Sequence, residues 1–174
     1  EHACYPGARN AFLAAGAKLS PLTLDEQGAQ VPDVAEKLAY LTVAHQYPLG
    51  MSMSHARRQE WLEWAKHHAA WLVEDDYDGE FHYQQAPLPA LQSEDRHQRV
   101  IYLGTFSKSL FPSLRLAWTV VPVLLTDSTV RARTLTDGHT PQPSQAVTGD
   151  IIRRGHLSQH LRRMSNTSGP RLQS

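Results

Sequence analysis

Short apolar runs rich in β-branched and aromatic residues recur along this chain, and most are parted from the next by a helical stretch or a long connection. They are "KLAYLTV", "WLVEDD", "RVIYLGTF" and "LRLAWTVVP". Strands joined by hairpins need only a few residues between them, whereas parallel strands need a crossover of a dozen or more. The spacing therefore predicts an α/β domain with a mostly parallel central sheet flanked by helices. Sheets of this kind collect ligands beyond the carboxyl ends of their strands.

The local signals fill in this frame. Pro6 and Gly7 make a turn into a short helix through Ala15, which Gly16 stops, and a strand is expected near Lys18 to Leu24, closing in an Asp25 to Gly28 turn. A second strand covers Leu38 to Val43 and runs into a loop broken by Pro48 and Gly50. Ser54 suits the N-cap of "HARRQEWLEWAKHHAA", where Trp61, Leu62, Trp64 and Ala65 form an apolar face and read as core. Near the end, "DIIRRGHLSQHLRRM" is predicted as one helix. Its Arg153, Arg154, Arg162 and Arg163 read as a solvated face rather than a nucleic-acid patch.

Composition removes several classes of function. The 174 residues balance 17 basic against 17 acidic side chains, so the whole chain advertises no nucleic-acid or membrane surface. Its one cysteine, Cys4, excludes an internal disulfide framework, fits a reducing compartment and reads as a packing residue. No signal peptide and no apolar run of membrane-spanning length is found, so a soluble, cytoplasmic protein is expected. The first residue is Glu1 rather than methionine, which reads as a fragment or a processed product.

The chemistry concentrates in "YLGTFSKSLFPSLRLAW", residues 102–118, where one lysine stands among hydroxyls and aromatics with an arginine seven positions on. A desolvated lysine loses its proton and forms a Schiff base with a carbonyl, and pyridoxal 5'-phosphate is the carbonyl cofactor that uses this most widely. Its ring nitrogen needs a carboxylate, for which Asp75 or Asp76 is available; its phenolic oxygen suits Tyr77. Its phosphate calls for hydroxyls and a guanidinium, which Thr105, Ser107 and Arg115 supply around Lys108. Taken singly, "TFSKS" is an ordinary polar loop, "EDDYD" a solvated acidic turn and Arg115 a surface charge. Together, at successive strand ends and beside His45, Gln46 and Tyr47 at another, they read as a site. It needs no metal.

These stretches also resemble a known family. "HQYPLGMSMSHARRQEWLEWA", "EDDYDGEF", "PALQSEDRHQRVIYLGTFSKSLFPSLRLAW" and "HLSQHLRRM" look like the fold-type I, aminotransferase-like domain of MocR-type transcriptional regulators in the GntR superfamily. The resemblance covers Glu1 to Met164 and is most specific from Glu74 to Arg115. It implies a pyridoxal-phosphate-dependent transferase-like large domain, incomplete here. Residues 1–124 would be part of that domain, 125–164 a helical connection towards a small domain, and 165–174 a disordered tail. It further implies that Lys108 carries the Schiff base, Asp75 pairs with the pyridine nitrogen, Tyr77 contacts the phenolic oxygen, Thr105, Ser107 and Arg115 lie at the phosphate, and Tyr5 lies against the ring.

The same resemblance implies a homodimer in the full-length protein, an amino compound as effector, and DNA contact only through a winged-helix domain that this chain lacks. The alternative is part of a class I/II aminotransferase acting on an amino acid, with transamination expected of the full-length protein rather than of this piece. Two departures stand out: Tyr47 replaces the asparagine of ordinary aminotransferases, leaving His45 or Gln46 to take over its hydrogen bond, and Ala3 and Cys4 precede Tyr5 where proline and glycine are usual. The glycine-rich phosphate cap and the small domain's carboxylate clamp are missing, so "VIYLGTF" and "LAWTVV" are expected to leave apolar surface exposed.

Overall fold

The computed structural model describes residues 4–79 and 89–168, with side chains described as far as residue 164. Ala3, Glu80, Phe81 and the tail from Gly169 lie outside the described residues. The chain divides into two compact units, one taking everything up to Asp76 plus the return segment Pro89–Leu103, the other taking the remainder.

In the first unit Pro6 starts α1 (Pro6–Ala14), where its fixed φ suits a first helical position. Gly16, at φ 79°, ends it through a left-handed residue. The expected strand over Lys18–Leu24 does not form: only Leu24–Asp25 (β1) is paired, antiparallel to Gly28–Ala29 (β2). Pro21 offers no N–H to a ladder, and an apolar run without a neighbouring strand settles no pairing. The expected turn between them is present, with the Asp25 carboxylate accepting the Gln27 N–H at 2.8 Å.

The next three elements make a β-α-β crossover. Leu38–Leu41 (β3) leads through α2 (His55–His67) to β4 (Trp71–Asp76), and the two strands pair in parallel with Leu38 opposite Trp71 and Leu41 opposite Glu74. Ser54 caps α2, its hydroxyl accepting the Arg57 N–H at 3.2 Å. The inward face of α2 buries Trp61, Leu62, Trp64 and Ala65 against Leu41, Val43, Leu72, Leu91 and Val100. Each large apolar side chain so buried contributes about 2 kcal/mol or more. Trp61 meets its polar need by donating its indole N–H to the Ala29 carbonyl at 2.9 Å, and buried Arg57 reaches Asp25 at 2.8 Å, so the β1–β2 hairpin is fastened to α2.

The chain returns through a short helix, α3 (Leu91–Glu94), to β5 (Val100–Thr105), which lies on the other side of β4 from β3. Glu74 holds this return: its buried carboxylate accepts the N–H groups of Leu91 at 2.8 Å and Gln92 at 2.9 Å. Burial pushes the Glu74 carboxyl above the usual carboxylate range, and those two amides and the Arg58 charge pull the other way.

The second unit begins inside β5. Beyond Gly104 and Thr105, the Phe106 N–H donates to the Leu116 carbonyl at 3.1 Å, leading into β6 (Ala117–Val120). Three helices follow: α4 (Thr126–Asp137), α5 (Gln142–Arg153) and α6 (His156–Ser168). The single helix expected over "DIIRRGHLSQHLRRM" is two, because Gly155 takes φ 74°, a left-handed conformation that ends α5. Backbone helix α6 runs to Ser168, four residues into the polar tail. Arg153, Arg154, Arg162 and Arg163 are exposed as expected, the first two within 3.8 and 2.8 Å of the Asp150 carboxylate. The apolar exposure expected of "VIYLGTF" is not found, since Val100 is buried and no residue of β5 is exposed, whereas every residue of β6 is exposed and α4 buries none of its residues. Among the described residues no helix is long and apolar enough to cross a membrane.

Candidate functional site

In the first unit the candidate residues are set by the pleat of β4. Successive strand side chains point to opposite faces, so the tandem Asp75 and Asp76 diverge. Tyr40 of β3, whose register partner is Val73, shares the face of Asp75 and donates its hydroxyl to Asp75 Oδ2. The Tyr40 ring meets Phe12 of α1 edge-on at 6.1 Å, which puts Phe12 on this face. Asp76 turns the other way and accepts the Tyr102 hydroxyl of β5 at 2.6 Å, while its Oδ1 is buried with no hydrogen-bond partner among the described residues. Both aspartates thus lie inside the end of β4 rather than just beyond it, and only Tyr77 follows the strand.

Tyr5, the residue capping α1, is half exposed, and its ring stands edge-on to Tyr47 at 5.9 Å and 86°. The loop carrying Tyr47 is braced from within. Gln46 is buried; its amide donates to the Tyr47 carbonyl at 2.5 Å and accepts the Leu49 N–H at 3.2 Å, and Thr42 Oγ1 accepts the Tyr47 N–H at 3.0 Å. The Gln46 amide is therefore engaged in the loop's own backbone. Cys4, beside Tyr5, is a half-buried free thiol.

In the second unit four candidates share one connection. Thr105 ends β5; its hydroxyl lies 2.9 Å from Ser107 Oγ and accepts the Ser107 N–H at 3.1 Å, which bends the chain into a helical turn closed by Leu110 N–H to the Phe106 carbonyl at 2.9 Å. Lys108 is on that turn. Its side chain is exposed, so the desolvation expected from the sequence is not supplied by the described residues; the buried member of the turn is Ser109, whose Oγ has no partner among them. Arg115, exposed and closing the 3₁₀ turn Pro112–Leu114, has φ 52° and ψ 36°. A left-handed conformation costs a non-glycine residue about 1–2 kcal/mol and collects at functional sites. Behind the connection Gly104 leaves room for Trp118: a Cβ there would come within 2.5 Å of the indole.

The sequence reading missed Tyr40 and Tyr102. Each reaches its aspartate across 35 or 26 residues, and the one available signal was a tyrosine in each strand flanking "EDD". Among the described residues no group of three or more metal-ligating side chains is assembled.

No protein-family model matches the chain. It is 44% identical over 164 residues to the probable rhizopine catabolism regulatory protein MocR of Rhizobium meliloti, covering 92% of this chain and 33% of that protein. It is 39% identical over 163 residues to the HTH-type transcriptional regulator YdeL of Bacillus subtilis, covering 92% of this chain and 35% of the relative. A solved kynurenine aminotransferase of Pyrococcus horikoshii in complex with PMP superposes with a TM-score of 0.89 at 30% identity, over 97% of this chain and 45% of that one. The chain matches the aminotransferase-like part of MocR-type regulators. Its fold is that of the fold-type I aminotransferases, α/β with a mostly parallel sheet. It spans about a third of the length of the MocR-type relatives it matches.

The residues present suit the cofactor that such a fold carries. Within one connection the second unit offers a primary amine, two hydroxyls and a guanidinium, the chemistry that a carbonyl and a phosphate need. The first unit offers a carboxylate, Asp75, already oriented by a phenol.

Proposed function

We propose that this chain is the cofactor-carrying part of the effector and dimerisation domain of a MocR-type regulator, and that it holds pyridoxal 5'-phosphate. The reading rests on one observation above all: Thr105, Ser107, Lys108 and Arg115 occupy a single connection in which Arg115 is held left-handed. When bound, the cofactor supplies an electrophilic carbonyl and a ring that can take up electrons. Lys108 would hold the carbonyl through its Nζ; Thr105 and Ser107 would donate hydroxyls, and Arg115 its guanidinium, to the phosphate. Asp75 would keep a proton on the ring nitrogen, Tyr77 would donate to the phenolic oxygen and Tyr5 would lie against the ring. Asp75 is favoured over Asp76 because its partner Tyr40 meets Phe12 of α1, the helix that Tyr5 caps. The full-length regulator would pair with a second copy, respond to a small amino compound and contact DNA through a winged-helix domain outside these residues.

Lys108→Ala in the full-length protein is expected to abolish the visible absorbance band and the borohydride-fixed adduct that pyridoxal phosphate gives with the parent. An adduct mapping to Lys18, Lys37 or Lys66 would overturn the assignment. The likeness to aminotransferases supports a second reading, catalysis on an amino acid. Amino-group transfer by the full-length protein, without cofactor-dependent operator binding, would favour it.

A further inference from the structure

We infer that Tyr40 is a positioning residue for Asp75: its hydroxyl holds the carboxylate that is to face the cofactor's ring nitrogen and keeps it ionised. The inference rests on the cofactor reading of Asp75 and adds to it a residue from a different strand.

Three observations carry it. Tyr40 and Asp75 share one face of the sheet through the parallel pairing of β3 with β4, and the Tyr40 hydroxyl donates to Asp75 Oδ2. Phe12 of α1 packs edge-on against the Tyr40 ring at 6.1 Å, a second contact that restrains the phenol. Tyr102 does the same for Asp76 on the opposite face, at 2.6 Å. Each aspartate of the pair therefore has its own tyrosine from its own flanking strand. Only the Tyr40–Asp75 pair lies towards α1.

The consequence is electrostatic. A hydrogen bond donated to a carboxylate stabilises the charged form and lowers the pH at which it takes a proton. Without the Tyr40 hydroxyl Asp75 would protonate more readily. A protonated Asp75 has no charge to pair with the protonated ring nitrogen, so cofactor binding would fail earlier on acidification.

The test is titration of the full-length protein with pyridoxal 5'-phosphate, followed by absorbance across the acid range, for the parent, Tyr40→Phe, Tyr102→Phe, Asp75→Asn and the Tyr40→Phe/Asp75→Asn double variant. Tyr40→Phe keeps the ring against Phe12, and its melting temperature without cofactor, compared with that of Tyr102→Phe, reports on folding. It should weaken binding roughly tenfold, the scale of one hydrogen bond to a charged group. It should also move the acid limb of binding to higher pH. Tyr102→Phe should leave both unchanged. The double variant should bind no more weakly than Asp75→Asn alone.

If Asp75→Asn binds like the parent, the cofactor reading of Asp75 falls and takes this inference with it. If Asp75→Asn weakens binding and Tyr40→Phe does not, the inference alone falls. A Tyr40→Phe loss that is equal at every pH, is matched by Tyr102→Phe, or adds in full to that of Asp75→Asn would make the phenol a packing group and overturn it.

Discussion

Arg115 shows how a single residue can hold a chemical group at a conformational cost. A left-handed backbone suits glycine, yet an arginine stands at φ 52° where the chain closes the Pro112–Leu114 turn. Removing the side chain should therefore separate stability from binding. Arg115→Gly relieves the unfavourable conformation, although it also loosens the unfolded chain, so its melting temperature is expected to stay level or rise. Its affinity for pyridoxal phosphate should fall at least tenfold, because a charge-assisted contact to phosphate is lost. Differential scanning calorimetry and cofactor titration on the full-length protein read the two effects; a lower melting temperature with unchanged affinity would assign Arg115 to structure alone.

Among the elements, the β1–β2 hairpin depends least on its own pairing, being two residues a side, and most on its fastening to α2. The Arg57 guanidinium beside Asp25, at 2.8 Å, holds that carboxyl below the usual range, helped by the Gln27 amide. A carboxylate whose folded value is depressed stabilises the fold above its unfolded value, near pH 4, and this stabilisation is lost as pH falls through the folded value. Asp25→Asn should accordingly melt lower than the parent at pH 7. The gap should close as the pH drops below about 4, where the parent's carboxylate protonates too. A gap constant from pH 7 to 3, measured by thermal melting, would mean that the side chain acts by shape and not by charge. Part of this scale was legible in advance: the Ser54 cap, the tryptophan face of α2 and strands at Leu38, Trp71 and Val100 all follow from local pattern. The strand over Lys18–Leu24 was not, because its pattern had no partner to pair with, and neither was the break at Gly155, whose φ depends on where α6 sets off.

For the whole molecule the decisive contrast is between a first unit with a closed core and a second whose helices bury little. Val123, Leu124 and Leu135 are 77%, 78% and 87% exposed, and Trp118 and Val120 of β6 are exposed with them. Apolar groups left in water favour association. The 174-residue chain on its own should therefore elute from size exclusion at a volume that falls with rising concentration. Val123→Ser, Leu124→Ser and Leu135→Ser together should reduce that dependence without lowering the melting temperature. A parent chain that stays monomeric across a hundredfold concentration range would contradict this.

What the sequence by itself determined is whatever is written in short range. The order of strands and crossovers follows from apolar periodicity, and the lysine connection is recognisable because Thr105, Ser107, Lys108 and Arg115 all lie in the one short stretch 105–115. The choice between Asp75 and Asp76 lay beyond it. Side chains alternate along a strand, so one of the two had to face α1, but the phase of the pleat is set only when β3 pairs with β4 and brings Tyr40 beside Asp75. The exposure of Lys108 is a tertiary matter in the same sense, since burial depends on what is packed around a residue and not on its neighbours in sequence.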